Sequence, residues 1–194
     1  MSKSDIGRIA IYCGHQAGAN PAYAEMAVKL ASAMAERGID LVYGGGKLGL
    51  MGIVADTVLE AGGKVYGVIP QSLIDVEVAH PGLTELHPVP GMHERKAKMT
   101  ELTDAFVCLP GGIGTMDELM EAWTWNALGY HAKPFCLLNV NGFWDGFASF
   151  CDRVADEGFM SADRRQQLLM AHDPVEAIEK LDEASKARQQ GMVW

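Results

Sequence analysis

The stretch Ala105-Phe106-Val107-Cys108-Leu109-Pro110-Gly111-Gly112-Ile113-Gly114-Thr115-Met116-Asp117-Glu118 decides the fold. Its first five residues are apolar throughout rather than alternating, as in a strand whose two faces are both covered by helices. Pro110, Gly111 and Gly112 then break the strand, and over 115–129 apolar residues recur at helical spacing. A buried strand that turns through glycines into a helix is the repeating unit of a parallel α/β sheet.

The unit repeats in both directions along the chain. The patterning predicts strands over 6–13, 40–43, 64–69, 105–109 and 135–140, and helices over 21–37, 48–61, 92–102, 115–129 and 144–157. Asp173-Pro174-Val175-Glu176 opens a last helix, running to about residue 186, with an N-cap, a first-turn proline and a glutamate at the capping-box position. Five strands alternating with helices predict an α/β fold: a single Rossmann-like domain over 1–194, with a doubly wound parallel β-sheet flanked by helices. Residues 70–91, with Pro70, Pro81, Pro88 and Pro90, interrupt the rhythm and read as one long loop. A functional loop and a packed irregular connection both fit it.

With 194 residues, 48% of them hydrophobic and 21% charged, the chain can build one compact core. Its net charge of −9 opposes attraction to nucleic acid or to anionic membrane surfaces, so an anionic ligand must find a local positive site. Cys13, Cys108, Cys136 and Cys151 have no CxxC spacing and read as buried thiols, which fits a reducing cytoplasm. Residues 1–5 run directly into the first strand without a signal-peptide or membrane-helix pattern, so the chain reads as a complete cytoplasmic protein.

Open parallel sheets bind ligands beyond the carboxyl ends of their strands. Three turns expected there are glycine-rich: Cys13-Gly14-His15-Gln16-Ala17-Gly18, Tyr43-Gly44-Gly45-Gly46-Lys47-Leu48-Gly49, and Pro110 to Thr115. Glycine lets the backbone approach a ligand and leaves amides aimed at it, and each following helix adds the positive end of its dipole. Gly45, Gly46, Gly111, Gly112 and Gly114 are therefore candidate anion-binding residues. Gly44-x-Gly46-x-x-Gly49 formally matches the dinucleotide fingerprint, but it follows the second strand and lacks an acidic ribose ligand at the end of the next. Lys47 is followed by Leu48, which rules out a Walker A loop.

Thr115-x-x-Glu118 supports two readings. It has the spacing of a capping box, and it equally sets a carboxylate in the first turn of a helix, facing any anion held by the preceding amides. Met92-His93-Glu94-Arg95-Lys96-Ala97-Lys98-Met99 concentrates positive charge, with Arg95, Lys98, Met99 and Leu102 on one helical face and Glu94 spaced to pair with Lys98. His15, His93 and His131 each lack a second ligand at useful spacing, so no metal is expected. The groups Trp123, Trp125, Phe135 and Phe143, Trp144, Phe147 read as core or dimer-interface aromatics.

Met92-His93-x-Arg95-Lys96 followed by Pro110-Gly111-Gly112-x-Gly114-Thr115-x-x-Glu118 resembles the Lonely Guy (LOG) family of cytokinin-activating phosphoribohydrolases. The similarity extends from Tyr12-Cys13-Gly14 to Glu157-Gly158-Phe159. It implies an N-glycosidase that cleaves adenosine 5′-monophosphate, or an N6-modified (prenylated) form, into free base and ribose 5-phosphate, with no cofactor. Carried over by position, it makes Arg95 and Glu118 the catalytic pair. Lys96, Gly111, Gly112, Gly114, Thr115 and Asp117 would surround the phosphoribosyl group, with Glu77 and Thr124 as further contacts. It also implies a homodimer with sites near the interface.

This chain has His15-Gln16-Ala17 where relatives usually carry serines, a departure that bears on base preference and affinity. A nucleotide sensor or cofactor carrier of the same superfamily is the alternative. The lysine decarboxylase label borne by many relatives requires a pyridoxal-phosphate lysine, and neither Lys47 nor Lys96 has such a setting.

Overall fold

A computed structural model describes residues 6–74 and 79–189. Seven parallel strands form one sheet in the order β4-β3-β2-β1-β5-β6-β7. They are β1 (Arg8–Tyr12), β2 (Asp40–Tyr43), β3 (Val65–Pro70), β4 (Glu85–Val89), β5 (Ala105–Cys108), β6 (Phe135–Leu138) and β7 (Leu168–Ala171). The helices are α1 (Ala22–Glu36), α2 (Gly49–Glu60), α3 (Met92–Leu102), α4 (Ile113–Ala127), α5 (Asp145–Asp156), the short α6 (Ala162–Gln166) and α7 (Pro174–Gln189).

Alternation along the strands builds two cores. Ile9, Ile11, Leu41, Tyr43, Ala105 and Val107 face α1, α2 and α7, whereas Ala10, Tyr12, Val42, Phe106 and Cys108 face α3, α4 and α5. The central strands are buried on both faces, which is why their sequences are uniformly apolar. Trp123 packs on Phe135, and Trp144 contacts both Phe143 and Phe147; Trp123, Phe135 and Trp144 are core, Trp125 and Phe147 are half-buried, and Phe143 is exposed. All four cysteines are buried and free. Burial pushes the Cys136 thiol up to about 12, and the thiols of Cys13, Cys108 and Cys151 are likewise raised, burial being the first cause in each.

Chain order reverses between β1 and β5, whose registers align Tyr12 with Cys108. Connections from β1 run one way across the sheet, those from β5 the other, so the turns beyond Tyr12 and Cys108 open a crevice.

The structure corrects three expectations. Residues 70–91 are not one long loop: β4 lies within them, paired with β3 from Tyr66↔Glu85 to Pro70↔Val89. Residues Leu168–Ala171 add a seventh strand at the opposite edge. Thr115 does not cap a helix, because α4 starts at Ile113 with Gly112 as its N-cap and no side-chain cap bond. Thr115 is instead a buried third helical residue, and Glu118 stands in the second turn. The last helix does begin as expected. Asp173 Oδ1 accepts the N–H groups of Val175 and Glu176 at 2.9 and 3.0 Å, and Glu176 Oε2 accepts the His172 N–H at 2.8 Å.

Candidate active site

Three glycine turns converge at the crevice. Gly14 N–H donates to Pro110 O at 3.1 Å, joining the turns after β1 and β5, and Leu50 N–H donates to Gly14 O at 3.1 Å, bringing the start of α2 to the same place. A cavity of about 180 Å³ lies between them, walled by His15, Gln16, Tyr23, Gly111, Gly112 and Phe143. A larger cavity of about 580 Å³ between β7 and α7 lies away from these turns.

The glycines of the β5 turn differ in what they meet. A Cβ on Gly111 would collide with Thr115 Oγ1 and stand 3.0 Å from Gly14 N, so its bareness is required by packing. A Cβ on Gly112 or Gly114 would meet no protein atom within 4 Å. Met116 N–H makes the first bond of the helix, to Gly112 O at 3.2 Å, which leaves the amides of Ile113, Gly114 and Thr115 as helix-start donors beside the crevice.

Arg95 is 4% exposed, an unusual burial for a guanidinium. Its Nη2 donates to the Gly44 carbonyl at 3.0 Å, and a Cβ on Gly44 would collide with Nη2, so glycine at 44 is what admits the arginine. Glu118 is half-buried, and its charge helps raise Tyr12, Cys13 and Cys108, after burial, which puts the carboxylate beside the ends of β1 and β5. Arg95, at the end of β2, and Glu118, beside the ends of β1 and β5, thus lie at the same carboxyl edge of the sheet.

Lys96 is placed differently. Its buried ammonium contacts Glu121 Oε2 at 2.5 Å and Asp117 Oδ2 at 3.0 Å, tying α3 to α4. Burial works to lower its pKa, but the bonds to Glu121 and Asp117 outweigh it and hold the ammonium above its ordinary value. Glu121 was not singled out in the sequence. The visible signal is its spacing four residues beyond Asp117, which puts both carboxylates on one face of α4. Lys98 pairs with Glu101 at 2.9 Å rather than with Glu94. Gly45 and Gly46 are buried in the β2 turn beside Gly44, with Gly45 at φ +81°.

Thr124 is exposed on α4, about 13 Å along the helix axis from Thr115, so a single chain does not bring it to the helix start. Glu77 lies outside the described residues. Among the described residues no three of His, Cys, Asp and Glu cluster closely enough to hold a metal ion, and no helix is long and apolar enough to cross a membrane.

The sequence model of a family described as "Possible lysine decarboxylase" matches residues 51–181. Over 192 residues, 99% of this chain and 79% of the relative, the sequence is 47% identical to the cytokinin riboside 5′-monophosphate phosphoribohydrolase LOG of Oryza sativa subsp. japonica. The chain belongs to the Lonely Guy (LOG) family. An Arabidopsis thaliana LOG relative, cytokinin riboside 5′-monophosphate phosphoribohydrolase LOG4, is 45% identical over 95% of this chain and 86% of its own length.

Solved structures share the LOG fold at lower identity. The molybdenum cofactor binding protein from Rippkaea orientalis superposes with a TM-score of 0.68 at 19% identity, covering 94% of this LOG chain and 98% of that one. The Moco carrier protein from Chlamydomonas reinhardtii does so with a TM-score of 0.67 at 22% identity, covering 91% and 96%. These likenesses speak to the fold alone.

Proposed function

We propose that the protein hydrolyses the N-glycosidic bond of adenosine 5′-monophosphates, N6-modified ones included, releasing the free base and ribose 5-phosphate. The observation that carries this reading is the gathering of Arg95, Glu118 and the first-turn amides of α4 at the β1/β5 reversal. Near-full-length identity to enzymes named for this reaction supports the substrate class.

The chemistry follows from charge. As the C1′–N9 bond breaks, its electron pair leaves with the base, which takes up a proton, and positive charge develops on the ribose. Glu118 faces that charge and orients or deprotonates the water whose oxygen bonds to C1′. The amides of Ile113, Gly114 and Thr115, at the positive end of the α4 dipole, receive the 5′-phosphate. Arg95, held on Gly44 O, fixes the phosphate or the carboxylate geometry with a planar fork that a lysine lacks. Lys96 and Asp117 serve the site by locking α3 to α4.

The same reading carries a homodimer. Ile113, Met116, Met120 and Leu128 form an exposed apolar stripe on α4 with Thr124 in its midst, and pairing two copies there would set Thr124 at their junction. The buried free thiols support a cytoplasmic setting, and the net charge of −9 supports a free nucleotide rather than nucleic acid as partner.

Incubation with AMP and with isopentenyladenosine monophosphate, followed by chromatography of the free base, tests activity and ranks the substrates. Binding without base release would favour a sensor or carrier. Glu118→Gln, shown folded by circular dichroism, is expected to lower kcat by about 100-fold or more. Base release at the wild-type rate would remove Glu118 from the chemistry.

A further inference from the structure

Between β3 and β4 the chain leaves the sheet and returns, and its returning limb is bound to the turn after β2. Gly46 and Ala79 form an isolated antiparallel bridge, and the His80 N–H donates to the Gly45 carbonyl at 2.9 Å. The His80 side chain, 9% exposed, adds a second tie. Its Nδ1 stands 3.1 Å from the Gly82 N–H, and a backbone amide only donates, so Nδ1 is the acceptor. The ring proton therefore sits on Nε2, which donates to Asp56 Oδ1 on α2 at 2.9 Å.

The β2 turn has no slack against the sheet. At φ +81°, Gly45 would carry a Cβ only 3.3 Å from Ile69 Cβ and Leu86 Cδ1, and a Cβ on Gly67 would come within 2.9 Å of Gly45 Cα. The next carbonyl back, Gly44 O, holds the Arg95 guanidinium. A continuous line of contacts thus runs from Asp56 through His80 and Gly45 to Gly44 and Arg95.

We propose that Asp56 and His80 are positioning residues, a latch from α2 to the returning limb that fixes the Gly44–Gly46 turn and, through the Gly44 carbonyl, the Arg95 guanidinium. Neither touches the reacting atoms. The inference rests on the phosphoribohydrolase reading, and its test carries a second readout that does not.

His80→Asn keeps an acceptor near the Nδ1 position for Gly82 but falls short of Asp56, whereas His80→Gln reaches Asp56 with a donor. His80→Asn and Asp56→Ala are each expected to lower kcat for AMP about tenfold, with KM within twofold, as misplacement of a positioned group does. His80→Gln is expected to recover at least about a third of the wild-type kcat, and the double variant carrying both His80→Asn and Asp56→Ala to be no worse than either single variant. Amide hydrogen exchange in His80→Asn is expected to quicken at 44–46 and 79–82 and to stay unchanged in β1 and β5. The latch is overturned by a wild-type kcat in His80→Asn, by His80→Gln as impaired as His80→Asn, by additive losses, or by unchanged exchange at 44–46. If exchange responds as expected while the wild-type protein releases no base, the phosphoribohydrolase reading falls and the service to Arg95 with it, leaving only the tie between α2 and the turn.

Discussion

Gly111, Gly112 and Gly114 look equivalent in the sequence, and the structure separates them. Alanine at 111 drives a methyl into Thr115 and toward Gly14 N, an overpacking expected to cost about 2 kcal/mol. Alanine at 114, inside α4 and facing open space, is expected to raise stability by about 0.5–1 kcal/mol through helix propensity. The same methyl would stand where a phosphate approaches the helix-start amides. Thermal melts and AMP turnover therefore diverge: Gly114→Ala melts no lower than wild type but loses most of its activity. A fully active Gly114→Ala would mean that phosphate binds elsewhere. Residue type, spacing and resemblance nominate Glu118 and Arg95, but the bond from Arg95 to the Gly44 carbonyl was not legible. A main-chain carbonyl 51 residues away in sequence leaves no mark except the glycine that makes room for the guanidinium.

The five inner strands were legible and the two edge strands were not: β4 is masked by polar residues and proline, and β7, Leu168-Leu169-Met170-Ala171, is an apolar run of four residues, too short for periodicity to tell from a helix segment. An inner strand is sandwiched on both faces and paired on both sides, so its sequence becomes an unbroken apolar run. An edge strand has a single neighbour and tolerates polar residues and proline, as in Glu85-Leu86-His87-Pro88-Val89, where Pro88 forgoes a donor on an edge strand. The start of α4 was misread because Thr115 and Glu118 carry capping-box spacing, yet the two residues before Thr115 already have helical geometry. At α7, where Asp173 caps the helix and Glu176 reaches back to the His172 N–H, the contacts predict a pH response. The bond from Lys180, then the His172 N–H, hold the Glu176 carboxyl below its ordinary value of 4.5. A depressed folded-state pKa gives stability that is fully present above about pH 4.5 and is lost as pH falls through the depressed value. Glu176→Gln is therefore expected to be less stable than wild type at pH 7 and to converge with it at acid pH, as read by denaturant melts followed by circular dichroism at both pH values. A stability gap that stays the same on acidification would mean that the loss comes from packing rather than from the carboxylate charge.

Across the whole molecule, the reversal of strand order between β1 and β5 gathers residues from distant parts of the chain, 14, 44, 95, 111 and 118, at one edge. The apolar stripe on α4 runs outward from that edge, so the proposed dimer and the proposed site would share a helix. Met120→Asp is expected to convert a species of about twice 21.0 kDa into a monomer by light scattering, because a carboxylate would be buried where a methionine packs. A monomeric wild-type protein would sink the dimer. A monomeric variant with undiminished turnover would free the site from any need of a second copy.

Burial keeps the four thiols protonated as well as hidden, which turns them into an internal clock for opening. Alkylation by iodoacetamide needs both access and thiolate, so the native chain is expected to stay at its unmodified mass while a denatured sample gains four adducts. The ratio of the two rates gives the fraction of time the fold stands open. Cys13 and Cys108 belong to the cores on opposite faces of the sheet, and Cys151 sits on α5, so peptide mapping of the adducts dates the exposure of each layer separately. A nucleotide that binds the closed form slows every tick, and its affinity becomes readable without following its chemistry.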